Sequence, residues 1–307
     1  MRPQRGAATG VARVAAPGTV GALVEELAVI LSTNGAFAER EALAEARELV
    51  AALYDVLRFW PDASAHSPVE QDMWPRARRA ATKRARGAPL AYAVGKAAFR
   101  HLTLDVDERV LIPRPETELL VDLVLERAPR TARVAVDVGT GCGAIALALA
   151  TEGTFSEVLA TDVSLDALAV ARANARMLDT RGMLRATVML VHGSLLAPLR
   201  ERQGSVGVVV SNPPYVTFEE ARDLPAGVRD WEPPVALFSG GQGLEVSAQL
   251  VREAADVLER GGLLAIEVDA RRASLVAECV AGVSRYRDVG VHLDLAGRER
   301  YVLATRR

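Results

Sequence analysis

The sequence contains little cysteine, little histidine and no long apolar run, and each shortage excludes a class of protein. The two cysteines, Cys142 and Cys279, lie far apart, which argues against a disulfide framework and fits a reducing cytosol. The four histidines are scattered, so we interpret them as structural or exposed and predict no metal site. No window approaches the roughly 18 consecutive apolar residues of a membrane span. We therefore expect a cytoplasmic protein without membrane contact.

The chain also lacks an excess of positive or negative charge. The formal net charge of -2 gives no general attraction to nucleic acid or to an anionic membrane, so we expect no direct DNA binding. Apolar residues, in contrast, make up 50% of the 307 positions. This is enough for the cores of two domains of ordinary size.

The first third of the chain predicts a tail followed by a helical domain. Residues 1–18 contain Arg, Ala, Gly and Pro but no acid, as in a transit segment, although we favour a disordered tail or an early start codon. Residues 19–95 form the predicted helical domain. Its first helix ends at Asn34-Gly35, its second runs from about Ala38 to Phe59, and its third begins near Pro68.

The third helix ends in a basic run that contains no acid. The run consists of Arg76, Arg78, Arg79, Lys83, Arg84 and Arg86. One interpretation is a footprint for an anionic partner, such as RNA or an acidic protein face. The other, which we favour, is a solvated helix face whose cations are stabilised by the helix dipole.

Residues 96–114 predict a β-hairpin that links the helical domain to the rest of the chain. Leu102, Leu104 and Val106 alternate as in a strand, Asp107-Glu108 supplies the turn, and apolar residues return at 110–112.

Strands and helices alternate from residue 115 to residue 307. Strands are predicted at 134–138, 158–161, 187–191, 206–210 and 263–268, with an antiparallel edge pair near 286–292 and 301–304. Predicted helices between them include 165–178 and 243–259. The pattern predicts an α/β fold, with a doubly wound, mostly parallel seven-stranded sheet of the Rossmann-like type.

A glycine turn follows the strand predicted at 134–138. Its glycines would let the backbone approach a ligand and take positive φ, and the acid after the next strand could accept hydrogen bonds from ribose hydroxyls. The predicted cofactor residues here are Asp137, Gly139, Thr140, Gly141, Cys142, Gly143 and Asp162. The alternative interpretation is a structural tight turn.

The glycine spacing separates two nucleotide cofactors. A dinucleotide fingerprint is Gly-x-Gly-x-x-Gly, because its helix N-terminus receives a pyrophosphate, whereas this loop is Gly-x-Gly-x-Gly. The Asp137 carboxyl would repel a diphosphate but suits a cationic sulfonium. We therefore predict S-adenosylmethionine as cofactor. Ser194, after the third strand, is the candidate for an adenine contact, unless backbone groups make it.

The strand predicted at 206–210 ends in Asn212-Pro213-Pro214-Tyr215. Ligands of doubly wound sheets bind at the carboxyl ends of strands, so this loop and the glycine loop should line one cleft. The Asn212 side-chain carbonyl and the rigid Pro213 carbonyl can hold a planar NH₂ group, and Tyr215 can stack on it. We predict Asn212, Pro213 and Tyr215 as catalytic, all four residues as the acceptor site, and Asn212 also as a cofactor contact. The alternative is a proline-rich turn.

With these two loops, the chain after about residue 21 resembles the release factor glutamine methyltransferases. The matching segments are 87–92, 111–119, 137–145, 211–215, 228–233 and 294–298. The most telling is Arg-Pro-Glu-Thr-Glu at 114–118, combined with the Asn-Pro-Pro-Tyr loop and a helical N-terminal domain. The resemblance implies methylation of the glutamine amide in the Gly-Gly-Gln loop of peptide chain release factors, which the helical domain helps to grip. It also implies that residues 114–118 border the cleft.

Two segments depart from the family pattern. Residues 193–194 lack the acidic or aromatic residue that the family often has there, and Glu267-Val-Asp269 replaces Glu-Ile-Gly. The chain also contains Gly240-Gly-Gln242, the substrate motif itself, which we interpret as a coincidental turn before a helix at Gly243.

Two other functions stay open. The acceptor loop also suits an exocyclic amine, so an adenine-N6 or other nucleic-acid amino methyltransferase is the main alternative, although it would need a basic cleft or a target-recognition domain. The second is a non-catalytic adaptor that binds S-adenosylmethionine. The presence of both Asn212 and Tyr215 argues against it.

Overall fold

The described part of the chain, residues 18–33 and 37–307 of a computed structural model, forms two compact units. The first ends at Val94 and the second comprises Gly95–Arg307. The predicted helix stop at 34–35 and, apart from Gly18, the predicted tail lie outside the described residues. Within the described residues, no helix combines the length and the apolar content that crossing a membrane requires.

In its described residues, the first unit contains three main helices and two short ones. They are α1 (Val20–Ser32), α2 (Glu39–Tyr54), α3 (Trp60–Ala63), α4 (Met73–Ala85) and α5 (Leu90–Val94). The Thr19 side chain caps α1 by accepting a hydrogen bond from the Ala22 amide. Leu23 and Leu27 of α1 are fully buried and share one core with α2 and with the alanine face of α4.

Two of the predicted helix bounds in this unit are wrong. The second helix ends at Tyr54, because Asp55 takes a left-handed conformation (φ 55°, ψ 49°) that breaks the helical hydrogen-bond ladder. The third begins at Met73, since Pro68 instead pairs in extended conformation with Thr19. The Trp60-Pro61 segment, where the second helix was expected to have stopped, begins the short helix α3.

The basic run on α4 is partly ion-paired within the first unit. Arg78 binds Glu26 of α1, and Arg84 Nε lies 2.6 Å from Glu45 Oε1 of α2. The Arg84 guanidinium also lies 4.8 Å from the centre of the Phe37 ring. These two arginines therefore hold α4 to its neighbouring helices.

The hairpin consists of β1 (Lys96–Phe99) and β2 (Leu102–Asp105), and it belongs to the second unit. The hairpin itself turns at Arg100, with φ of 54°. The chain does turn at the predicted 107–108, where the Val110 amide donates to the Asp107 carbonyl at 3.1 Å. The predicted returning strand at 110–112 is wrong, because these residues form no strand. The Arg100 amide donates to Glu118 Oε1 at 3.0 Å, and its guanidinium binds Glu152 at 2.6 and 2.7 Å. Carboxylates distant in sequence thus select the turn.

The second unit contains a seven-stranded sheet that confirms the predicted α/β fold. Its strands are β3 (Val134–Val138), β4 (Glu157–Asp162), β5 (Thr187–His192), β6 (Val206–Ser211), β7 (Leu258–Glu267), β8 (Tyr286–Leu293) and β9 (Glu299–Arg306). The strand order is β5-β4-β3-β6-β7-β9-β8. Strand β9 pairs antiparallel with both β7 and β8, and the other pairings are parallel. The order reverses between β3 and β6, and ligands of such sheets bind at this switch point.

The helices of this unit are α6 (Pro115–Arg127), α7 (Ala144–Glu152), α8 (Leu165–Thr180), α9 (Ala226–Arg229), α10 (Pro234–Leu237), α11 (Gly240–Gly243), α12 (Glu245–Val257) and α13 (Ala273–Ala281). Short 3₁₀ turns lie at Ala197–Arg202 and Glu219–Asp223. The helix predicted from residue 243 begins at Glu245, because Gly241 and Gln242 in the preceding turn take left-handed conformations. Helix α7 is apolar and buried along nearly its whole length, beside the strands.

Candidate active site

The glycine loop and the acceptor loop leave the sheet from adjacent strands. In the parallel pairing of β3 with β6, Val138 lies opposite Ser211. The Ser211 hydroxyl donates to the Val138 carbonyl at 2.7 Å, which ties the two strand ends together. The loops that begin at Gly139 and Asn212 therefore start side by side at the switch point.

The glycine loop has the backbone that its composition predicts. Gly139, Gly141 and Gly143 have φ values of 73°, 57° and 90°. A Cβ atom added at Gly139 or Gly141 would meet no protein atom within 4 Å, whereas one at Gly143 would lie 3.1 Å from Leu147 Cδ1. The first two glycines are thus open to a ligand, and the third packs against α7.

The buried Asp137 side chain stabilises this loop from the interior of the protein. Its carboxyl is fully buried and accepts hydrogen bonds at Oδ2 from the Thr140 hydroxyl (2.6 Å) and the Ala146 amide (3.1 Å). Its Oδ1 is buried and has no hydrogen-bond partner among the described residues. Burial raises the pKa of Asp137 to about 7. The carboxyl therefore orders the loop and the start of α7.

Asp162, at the end of β4, closes the loop from the other side. Its Oδ2 accepts from the Gly141 amide at 2.9 Å and its Oδ1 from the Ser164 amide at 2.8 Å. Each carboxylate oxygen keeps a further lone pair that can accept a ligand hydroxyl.

Two cavities meet at the acceptor loop. We name the first the glycine cavity: it measures about 270 Å³ and is lined by Gly139, Gly141, Asp162, Ser194, Asn212, Pro214, Pro233, Val235 and Phe238, among others. We name the second the proline cavity: it measures about 380 Å³ and is lined by Arg114, Asn212, Pro213, Pro214, Tyr215, Glu220, Asp223, Asp269 and Arg271, among others. Asn212 and Pro214 line both cavities, as do Leu111 and Ala236. A larger cavity of about 590 Å³, beside α8 and β5, includes neither loop.

The cavities divide the predicted site residues into two groups. Gly139, Gly141, Asp162, Ser194 and Asn212 line the glycine cavity. Four residues predicted with them do not line it: Asp137, Thr140, Cys142 and Gly143. The whole predicted acceptor group, residues 212–215, lines the proline cavity. No group of three or more potential metal ligands occurs among the described residues.

Two residues that were not among the predicted site residues, Thr117 and Glu267, hold the Asn212 amide. Asn212 Nδ2 donates to Thr117 Oγ1 at 3.1 Å, and Thr117 Oγ1 donates to Glu267 Oε2 at 2.7 Å. Thr117 and Glu267 are buried, and burial raises the pKa of Glu267 to about 7. For Thr117, the signal was its place in the family-like segment 114–118; for Glu267, it was the one residue at 267–269 that the family pattern shares.

The proline cavity also joins two of the segments that carry the resemblance. Arg114 Nη2 lies 2.6 and 2.7 Å from the two carboxylate oxygens of Glu232, whose side chain is 1% exposed. Burial raises the pKa of Glu232 despite this contact. Arg114 lines the proline cavity, so the prediction that residues 114–118 border the cleft matches its position.

The residue after Tyr215 is held by two backbone hydrogen bonds. The Val216 amide donates to the Leu237 carbonyl at 3.0 Å, and the Ser239 amide donates to the Val216 carbonyl at 2.9 Å. A Cβ atom added at Gly243 would lie 2.3 Å from the Tyr215 carbonyl oxygen, so only glycine fits there. The Gly240–Gly243 turn thus packs directly against the acceptor loop. Burial raises the pKa of the Tyr215 phenol to about 12, which keeps it neutral.

Asp269, which departs from the family pattern, stabilises a turn with its side chain. Its Oδ1 accepts from the Arg271 amide at 2.9 Å and from Arg271 Nε at 2.8 Å. A carboxylate that bonds to the amide two residues later reproduces a tight turn that glycine would form by backbone freedom.

The chain matches known methyltransferases in sequence. Residues 115–225 match the family described as Methyltransferase small domain. The chain is 43% identical over 230 residues to the release factor glutamine methyltransferase of Moorella thermoacetica, which covers 75% of this chain and 79% of that protein. It is 41% identical to proteins of the same name from Deinococcus radiodurans (73% and 77% covered) and Mycolicibacterium smegmatis (73% and 76% covered).

Solved structures share its fold at lower identity. A methyltransferase from Pyrococcus furiosus superposes with a TM-score of 0.50 at 22% identity, covering 68% of this chain and 90% of that one. The catalytic domain of hMettl16, in complex with a MAT2A 3′UTR hairpin, has a TM-score of 0.53 at 16% identity, covering 77% and 82%. At these identities the likeness concerns the fold alone. The relatives at 41–43% identity, matched over about three quarters of their length, establish more: this chain belongs to the release factor glutamine methyltransferase family.

Proposed function

We propose that this protein transfers a methyl group from S-adenosylmethionine to the glutamine side-chain amide in the Gly-Gly-Gln loop of peptide chain release factors. The observation that carries the proposal is that Asn212 and Pro214 line both the glycine cavity and the proline cavity. A cofactor in the first cavity and an acceptor amide in the second would meet at these residues. The names of the relatives point to the same substrate.

The glycine cavity fits the proposed cofactor. The exposed backbone at Gly139 and Gly141 leaves space for an amino acid tail, and Asp162 has lone pairs for ribose hydroxyls. Asp137 does not line this cavity; it orders the loop from the interior through Thr140 and Ala146. When bound, S-adenosylmethionine supplies an electrophilic methyl group on a sulfonium. Val235 and Phe238 would provide apolar surface around it.

The acceptor loop can orient an amide nitrogen. The amide lone pair is delocalised, so the NH₂ group must be held in a fixed geometry before it can attack. The Asn212 side-chain carbonyl and the Pro213 carbonyl are the two proposed acceptors for its hydrogens. Consecutive prolines fix φ, which keeps the Pro213 carbonyl in place. Such orientation can contribute on the order of 7–11 kcal/mol to a barrier reduction.

No strong general base is required by this scheme. Once methylated, the nitrogen is far more acidic than the starting amide, and it loses its proton readily to water or to a carboxylate. The neutral Tyr215 phenol offers a flat face for the planar amide. We propose Asn212, Pro213 and Tyr215 as the catalytic group, in a cytoplasmic enzyme whose helical unit helps to grip the release factor.

Transfer of tritium from labelled S-adenosylmethionine tests the proposal. The acceptors are a purified release factor, the same factor with its motif glutamine changed to alanine, and DNA and RNA. We expect label only on the unchanged factor. Label on nucleic acid and none on the factor would replace the proposal with the nucleic-acid alternative, and label on neither would favour the non-catalytic adaptor.

A further inference from the structure

The side chains of Glu267, Thr117 and Asn212 form one hydrogen-bond chain at the carboxyl ends of β6 and β7. We infer that Thr117 and Glu267 are positioning residues that fix the Asn212 amide with its carbonyl oxygen turned toward the acceptor. The inference rests on the proposed function, because it concerns how the same site selects an NH₂ group.

The chain of hydrogen bonds runs from the interior to the cavity wall. Glu267 is 1% exposed and Thr117 is 4% exposed, whereas Asn212 is half-buried and lines both cavities. The two hydrogen bonds measure 2.7 Å (Thr117 Oγ1 to Glu267 Oε2) and 3.1 Å (Asn212 Nδ2 to Thr117 Oγ1). Both are within the normal range, so the buried pair can hold the amide at the surface of the cavity.

The direction of the chain follows from the donors that each group has. A hydroxyl has a single hydrogen to donate, and Glu267 in its ionised form, above its pKa of about 7, can only accept. Because Thr117 donates to Glu267, it presents only lone pairs to Asn212. Asn212 must therefore turn its NH₂ group to Thr117, which leaves Oδ1 for the cavity. The opposite orientation would aim a donor at the donor hydrogens of the substrate amide.

The fold brings the three residues together from separate elements. In the parallel pairing of β6 with β7, Ser211 lies opposite Ile266, so the next residue of each strand emerges at the same sheet edge. Thr117 comes from the first turn of α6, which is held by Tyr301 Oη donating to the Glu116 carbonyl at 2.6 Å. Each partner thus has a fixed position before any ligand binds.

Substitution of Thr117 tests the inference through selectivity as well as rate. Thr117→Val removes the hydroxyl at almost constant shape, Thr117→Ser keeps it, and Thr151→Val is the control, a buried threonine on α7 outside both cavities. The quantities to measure are kcat and KM with a release factor, and the affinity for the cofactor. Inhibition by a release factor whose motif glutamine is changed to glutamate is measured as well.

We expect kcat of Thr117→Val to fall on the order of 10-fold or more, as for loss of one oriented hydrogen bond. Cofactor affinity should stay near normal, and Thr117→Ser and Thr151→Val should stay close to the starting protein. The preference for the glutamine factor over the glutamate factor should shrink in Thr117→Val, because a freed Asn212 can turn its NH₂ group toward a carboxylate. A role in packing alone would leave that preference unchanged.

Glu267→Gln provides the second variant. Its amide can accept from Thr117 or donate to it, so it should fix the direction less firmly and cause a smaller loss of kcat and selectivity. The double variant should be no slower than Thr117→Val, since the two residues act in series on Asn212.

Unchanged kcat and selectivity in folded Thr117→Val would overturn the inference, as would losses that add in the double variant. If Thr117→Val does not fold, unchanged selectivity in Glu267→Gln overturns it in the same way. No transfer to the release factor by the unsubstituted protein would instead contradict the proposed function.

Discussion

Val138 and Ser211 lie opposite each other at the ends of two parallel strands, joined by a 2.7 Å hydrogen bond from the Ser211 hydroxyl to the Val138 carbonyl. This contact brings the glycine loop and the acceptor loop to one edge of the sheet. It is the reason that Asn212, only one residue further on, reaches the cavity lined by Gly139 and Gly141.

Asn212→Ala should separate binding from turnover. Asn212 is the proposed acceptor for one amide hydrogen, so kcat should fall on the order of 100-fold or more, as when one positioned transition-state contact is removed. Cofactor affinity should stay near normal, because most of the glycine cavity remains. Single-turnover assays and calorimetry check this. Lost cofactor binding with unchanged turnover per bound cofactor would contradict this division of roles.

Asp162→Asn should weaken cofactor binding. One carboxylate oxygen becomes an NH₂ group, so the residue can no longer serve both backbone amides and accept from a ligand. We expect a loss of affinity on the order of 10-fold, measured by calorimetry. Asp166→Asn, the same change at an exposed position of α8, is the matched control. Equal affinities in the two variants would argue against a ligand contact at Asp162.

Gly141→Ala should cost both stability and cofactor affinity. The residue has φ of 57°, and a Cβ atom would enter open space on the ligand side of the loop. Left-handed strain costs roughly 1–2 kcal/mol for a residue with a Cβ. Gly182→Ala is the control, because Gly182 has φ of 65° with equally open space and lines neither cavity.

Denaturant unfolding and calorimetry on both glycine variants separate the two effects. Similar losses of stability are expected, with reduced cofactor affinity only in Gly141→Ala. Equal cofactor affinities would show that the open space at Gly141 is not used by the ligand.

Glu267→Gln should change how stability depends on pH. Burial raises the pKa of Glu267 to about 7 from its usual value of 4.5, so the folded protein binds this proton more tightly than the unfolded chain. The resulting stability is fully present below about pH 4.5 and is lost as pH rises through about 7. The loss is on the order of 3 kcal/mol.

The measurement is the free energy of unfolding from pH 4.5 to 8 in both proteins. The decline across this interval should be smaller in Glu267→Gln, whose amide does not titrate. Parallel curves would mean that Glu267 has a similar pKa in the folded and unfolded states.

Much of the backbone of the candidate site could be predicted from the sequence, because it depends on local properties of glycine and proline. Positive φ at Gly139, Gly141 and Gly143 is a property that glycine carries into any fold, and the rigidity of Pro213-Pro214 comes from the pyrrolidine rings themselves. The seven strands were likewise legible as short apolar runs between helical patterns. Their bounds shift by a few residues, because strand ends depend on pairing with neighbours.

The helix and hairpin errors have the opposite cause. The turn at Arg100 depends on Glu118 and Glu152, which lie 18 and 52 positions away, whereas the local turn residues are Asp107-Glu108. Local preference therefore identified a turn that does form after Asp107, but assigned the hairpin to it. Asp137 was also assigned to the ligand from its charge, but folding turned one of its oxygens inward to Thr140 and Ala146.

Residue types and their spacing along the chain thus determined the fold class, the two loops and the kind of reaction that they suit. Only the tertiary structure decided which atom of the Asn212 amide is free, because Thr117 and Glu267 lie 95 and 55 positions from Asn212 in the sequence. Thr117 and Glu267, which are hydrogen-bonded to each other, are themselves 150 positions apart. A side-chain amide has two nearly equivalent orientations, and nothing in its own segment distinguishes them. The choice is made by hydrogen-bond donors and acceptors that packing brings to the same strand ends.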